Sequence, residues 1–198
     1  MAVAGSIRNQ GAAFVTRIFA ALTVLTALAL GASFVLGMNI GDAASLDRAA
    51  VQRVTWHFLG AAAAVVLGLF VHALLLTYFM GTGRWLAETS DAYRLDPRYR
   101  NESQRLKLRV LPPLVLCALL LIVTAALGAA ADPGSPVGFR GWGPLSAAAL
   151  HRLVALFTVV VNLGVNVWQY QAVHRNGVLI NEVVAEVRRI RRERGLDP

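Results

Sequence analysis

The feature that most limits how this chain can fold is the length of its apolar runs. The stretch TWHFLGAAAAVVLGLFVHALLLTYF, residues 55–79, carries no ionisable side chain other than His57, His72 and one tyrosine. A helix rises about 1.5 Å per residue, so about 20 residues cross a hydrocarbon core. Four stretches reach that length, near 17–38, 54–80, 108–131 and 146–173. Composition agrees, with 57% hydrophobic and 15% charged residues in a chain of 198. A soluble domain of that size would need more polar surface to cover its core. The expected fold class is therefore all-α, a polytopic membrane protein built as an up-down-up-down four-helix transmembrane bundle. The bundle is expected over residues 1–175, with 81–107 as a cytoplasmic loop, followed by a basic amphipathic cytoplasmic helix over 176–198. The first run is too long for the apolar core of a typical signal peptide and reads as a retained signal-anchor span.

The basic residues set the expected orientation. Arg8 and Arg17 precede span one, seven Lys or Arg follow span two, and six more lie after His174, together 15 of the 19. Arg48, Arg53, Arg140 and Arg152 make up the rest. The excess of positive charge on the cytoplasmic side puts both termini and the middle segment there, in a bacterial-type inner membrane. The net charge of +8 thus marks topology, and nucleic acid is not an expected partner. Trp56 and Trp142 fall near the outer ends of the spans, and Tyr78, Trp85, Trp168 and Tyr170 near the inner ends, as aromatic belts do. Pro112 and Pro113 are expected in the first turns of span three, where a missing amide donor costs little. GTGRW, residues 81–85, lacks phosphate-loop spacing and reads as the end of span two. In the tail, Val183, Val187 and Ile190 form one helical stripe, suited either to the anionic leaflet or a partner, or to a solvated extension of span four.

No Ser-His-Asp or Cys-His arrangement and no paired carboxylates point to hydrolytic or transferase chemistry, and Cys117 stands alone without a CxxCH motif. The histidines carry what chemistry there is. In an up-and-down bundle, spans two and four run in the same direction. His57 and His151 then differ in depth by about two residues, roughly 3 Å of rise. Two histidines at one depth on neighbouring helices can be the axial ligands of a b-type haem. Arg53 lies one turn before His57, and Arg152 follows His151, where propionates would emerge. A faint internal duplication, TALALGA against TAALGAA, would bring the two histidines face to face across a pseudo-two-fold axis. In the depth of this pair the layout resembles four-helix membrane cytochromes b, an architectural analogy that assigns no residue beyond the two histidines. The blander role for both is interfacial hydrogen bonding, with the arginines snorkelling outward.

His72 lies deeper and has no histidine at its level. The halves aligned on His57 and His151 put Asn166 opposite it, with Asn162 on the same helix face. An interhelical hydrogen bond is one role; the other is an inner polar pocket of His72, Asn162, Asn166, Gln169 and Thr77 for a quinone or a proton path. The functional expectation is an electron-transfer subunit of a larger membrane complex, with haem b between His57 and His151 and a quinone as candidate electron partner. The alternative is a cofactor-free accessory or assembly subunit. A small-solute transporter is the third option, weakened by the absence of Gly/Pro breaks at mid-span and of buried charge.

Overall fold

The computed structural model of the chain describes residues 2–45 and 47–196, with the backbone alone for 2–12. The side chain of Arg8, and Met1, Asp197 and Pro198 at the limits of the two expected domains, lie outside the described residues. The architecture is helical: α1 (Ala2–Met38), α2 (Arg48–Tyr93), α3 (Pro97–Ala131) and α4 (Ala147–Glu193). All four are long and apolar enough to cross a membrane. Large apolar side chains such as Phe58, Val66, Phe157 and Val160 stay exposed along them. Exposed apolar surface of that extent fits contact with lipid. One element was not foreseen. Between α3 and α4 the chain forms a two-stranded antiparallel ladder, β1 (Gly141–Trp142) with β2 (Leu145–Ser146). Gly141 sits there at a φ of +121°, and a Cβ on it would run into the Leu145 carbonyl.

Local chemistry accounts for the helix ends. Asp47 caps α2, its carboxylate accepting the Ala50 amide at 2.7 Å and the Ser45 hydroxyl at 2.8 Å. Those two donors hold its carboxyl below the ordinary value, the Ala50 amide first. At the other end, Leu95 N–H reaches the Ser90 carbonyl at 2.9 Å and Arg94 N–H the Asp91 carbonyl at 3.4 Å. With Arg94 at a φ of 53°, this is a Schellman stop built on a residue other than glycine. Asp96 then caps α3, its carboxylate accepting the Arg98 amide at 2.8 Å, and Pro97 takes the first helical position.

Residues 81–107, expected as a loop, are therefore almost entirely helix, broken only at Arg94–Asp96. GTGRW does not end α2; two glycines cost a long helix propensity but do not stop it where tertiary contact holds it. Because α3 starts at Pro97, Pro112 and Pro113 fall in its interior instead of its first turns. They leave the carbonyls of Leu108 and Arg109 without their usual helical donors. The tail is likewise no separate element, since α4 runs unbroken to Glu193.

The chain divides into two compact units, to each of which all four helices contribute a segment. The first comprises the stretch ending at Ala21, Ala73–Leu114 and the stretch from Val167 onward. Its core joins Leu86, Leu95, Tyr99, Leu179 and Val183, with Val187 and Ile190 packed against it. The apolar stripe of the tail is thus covered by the chain's own α2 and α3. Glu102 pairs with Arg175 at 2.6 Å, and Asn176, fully buried, donates to the Thr82 hydroxyl at 3.0 Å. The second unit comprises Leu22–His72 and Val115–Asn166. Its core is built on Leu30, Ala64 and Leu121, with Leu69 and Val159 against them. Gly68 lets Leu121 approach so closely that a Cβ there would lie 2.9 Å from its Cδ1.

Candidate functional site

The second unit brings the rings of His57 and His151 together, their centroids 6.2 Å apart and their planes inclined at 70°. His57 projects from α2 and His151 from α4, and both are half-buried. Each imidazole leans on a glycine of another helix. A Cβ at Gly37 of α1 would lie 2.8 Å from His57 Cε1, and one at Gly128 of α3 would lie 2.9 Å from His151 Cε1. Any larger residue would push the ring away, so both glycines act as cradles for the histidines.

One turn before each cradle glycine stands a backbone group facing the ring. His57 Nδ1 lies 3.0 Å from the Ser33 carbonyl oxygen. That contact is favourable when Nδ1 carries the proton, which leaves Nε2 as a free lone pair. His151 has the backbone of Thr124 beside it in the corresponding place, though its Nδ1 makes no well-formed hydrogen bond. The spacing Ser33–Gly37 recurs as Thr124–Gly128, each facing one histidine across two helices. This pairing has a different register from the TALALGA and TAALGAA duplication, which aligns Thr26, not Ser33, with Thr124.

Thr124 is itself fixed, its hydroxyl 2.7 Å from the Leu120 carbonyl and 2.7 Å from the Thr158 hydroxyl. These contacts join α3 to α4 beside His151. Arg53 is exposed and donates from Nε to the Ile40 carbonyl at 3.1 Å, and Arg152 is exposed beside His151. Among the described residues no group of three His, Cys, Asp or Glu side chains is placed to hold a metal ion. The histidine pair by itself therefore offers two nitrogen ligands and no more.

Deeper in the same unit, His72 is 3% exposed, and its Nε2 lies 3.1 Å from Asn162 Oδ1. Asn162 Nδ2 in turn donates to the Thr158 carbonyl at 2.9 Å. The partner of His72 is thus Asn162, not the Asn166 that aligning the halves suggested. Nδ1 of His72 and Oδ1 of Asn166 are buried without a hydrogen-bond partner. Gln169 belongs to the first unit, where it is fully buried with both polar side-chain atoms unpartnered. Thr77 is exposed and bonds its own helix through the Ala73 carbonyl at 2.9 Å, which removes it from any inner pocket.

Sequence reasoning found the histidines but missed Ser33, Gly37, Thr124 and Gly128. The signal available was a Ser or Thr four residues before a glycine, in SFVLG and TAALG. No family model, curated protein or solved structure matches the chain.

Proposed function

We propose that the protein is an integral membrane electron-transfer protein that holds one b-type haem between His57 and His151. The observation that carries this reading is the ring separation of 6.2 Å. At that separation one nitrogen of each ring could reach a single iron, since metal–imidazole bonds run about 2 Å. Two nitrogen donors would suffice to hold an iron already bound in a macrocycle, whereas a bare metal ion would need more. When bound, the haem supplies one-electron transfer.

The chain's own residues do the rest. The Ser33 carbonyl accepts the Nδ1 proton of His57 and so presents Nε2 as the ligand. Gly37 and Gly128 leave room for each ring. Arg53 has its Nε engaged by Ile40, which leaves its terminal nitrogens for a propionate, and Arg152 serves the same role beside His151. The helices are arranged up-down-up-down with both termini and the Arg-rich α2–α3 turn in the cytoplasm, as the distribution of basic residues favours. A quinone is the electron partner proposed with this site, and His72 is the buried group through which a proton could follow the electron. The protein works as a subunit of a larger membrane complex.

The test is a dithionite-reduced minus oxidised absorbance spectrum of the full chain, purified in mild detergent from cells with ample haem supply. Haem bands are expected, and they should be lost in His57→Ala and in His151→Ala. A spectrum without bands in the unaltered protein would favour a cofactor-free accessory subunit. Bands that persist in both variants would show that other residues are the ligands.

A further inference from the structure

The first unit carries a strongly basic hollow that electron transfer does not use. Arg98, Glu102, Arg105 and Arg109 recur at helical spacing on one face of α3. With Arg175 of α4 they line a cavity of about 460 Å³. A second hollow of about 180 Å³ shares Leu106, Arg109 and Arg175 with the first. Its remaining wall is mainly apolar, formed by Val110, Trp168 and Ala172.

The charges in this double hollow do not balance. Among the described residues Glu102 is the one carboxylate in its lining, and it is already paired with Arg175 at 2.6 Å. Arg98 lies over the Tyr99 ring at 4.5 Å and donates to its hydroxyl at 2.8 Å. Arg105 and Arg109 have no carboxylate partner among the described residues, and both are exposed. Two like charges four residues apart weaken a helix, so their presence asks for an anion from outside. The place is also chemically particular. The apolar run of α3 starts at Val110, directly after Arg109, so the hollow spans the change from polar to apolar side chains. A free phosphate ion would need the basic half alone; a lipid would use both halves.

We propose that this double hollow binds an anionic phospholipid. Arg105 and Arg109 hold the phosphate, Arg175 is positioned by Glu102 at its edge, and the wall of Val110, Trp168 and Ala172 receives the first carbons of an acyl chain. Basic pockets between membrane helices are suited to such headgroups.

Trp168 makes the site observable. A chain with Trp56→Phe, Trp85→Phe and Trp142→Phe keeps it as the one tryptophan. In phosphatidylcholine vesicles, brominated phosphatidylglycerol is expected to quench Trp168 beyond its share of the lipid. Arg105→Gln and Arg109→Gln should each lower that preference by about fivefold, while Arg105→Lys with Arg109→Lys keeps most of it. In parallel, mass spectrometry of the otherwise unaltered detergent-purified chain should find anionic phospholipid enriched, and lost in the double Gln variant. Equal quenching by brominated phosphatidylcholine with no enrichment of anionic lipid would overturn the proposal. So would loss of the preference on adding millimolar inorganic phosphate, which would make the hollow a soluble-anion site.

Discussion

Gly128→Ala puts the histidine pair under the most direct strain. The added Cβ would stand 2.9 Å from His151 Cε1 and 3.4 Å from both ring nitrogens, so it meets the imidazole broadside. Overpacking of this kind costs about 1–3 kcal/mol, while Gly→Ala inside a helix returns about 1 kcal/mol. In the haem-free chain the ring can turn about its own torsions, and the net change in fold stability should fall between about 0 and 2 kcal/mol. If His151 holds a haem iron, its ring would not be free to turn, and the clash would weaken haem binding. Substitutions beside a ligand typically lower metal affinity about 10–100-fold. The assay is haem content and the reduced-minus-oxidised spectrum across a haem titration, alongside thermal melting of the haem-free protein. Haem affinity should fall much further than the melting temperature. Unchanged affinity, or affinity and stability falling in parallel, would refute the view that Gly128 exists to seat a ligating ring.

Three further outcomes follow from named contacts. His72→Leu removes the bond to Asn162, and thermal stability in detergent should drop by about 0.6 kcal/mol, at most about 2, with haem bands retained. If quinone-linked electron transfer falls while stability holds, His72 has a proton or quinone role. Leu179→Ala empties a site that is 1% exposed in the core of the first unit. It should cost about 2–5 kcal/mol and make the tail sensitive to protease, a change absent if the tail were independent of α2 and α3. Asp47→Ala should lower the melting temperature near neutral pH. The carboxyl is held below its ordinary 3.8 by the Ala50 amide and the Ser45 hydroxyl. Its contribution is therefore full above that value and lost as pH falls through the lower folded value, so the difference from the unaltered chain should shrink as pH is lowered below 3.8.

The four long apolar helices were legible because hydrophobic length is a direct statement of the sequence. Depth along a helix could be counted, and that counting matched His57 to His151 without any contact information. What could not be counted was rotation about each helix axis. Asn162 and Asn166 lie four apart on one face, and only side-chain packing decides which of them reaches His72. The Ser33 carbonyl was invisible for another reason, since every residue has one and none is marked. Glycine misled twice in opposite directions. In GTGRW it suggested a stop where α2 continues, and at Gly37 and Gly128 it gave no sign that each faces one imidazole. The tail's stripe was read correctly as a stripe, but its partner lay some eighty or more residues upstream in Leu86, Leu95 and Tyr99. Helix periodicity shows that a face must be buried and says nothing of what buries it.

The most direct test of the account is the low-temperature electron paramagnetic resonance spectrum of the oxidised protein loaded with haem. Two imidazole ligands make ferric iron low-spin, and planes inclined at 70° are close to perpendicular. The expected result is a low-spin signal dominated by a single large-g feature, the form that crossed imidazole planes produce. A high-spin signal, or no bound haem after loading, would contradict the claim that His57 and His151 together hold the iron.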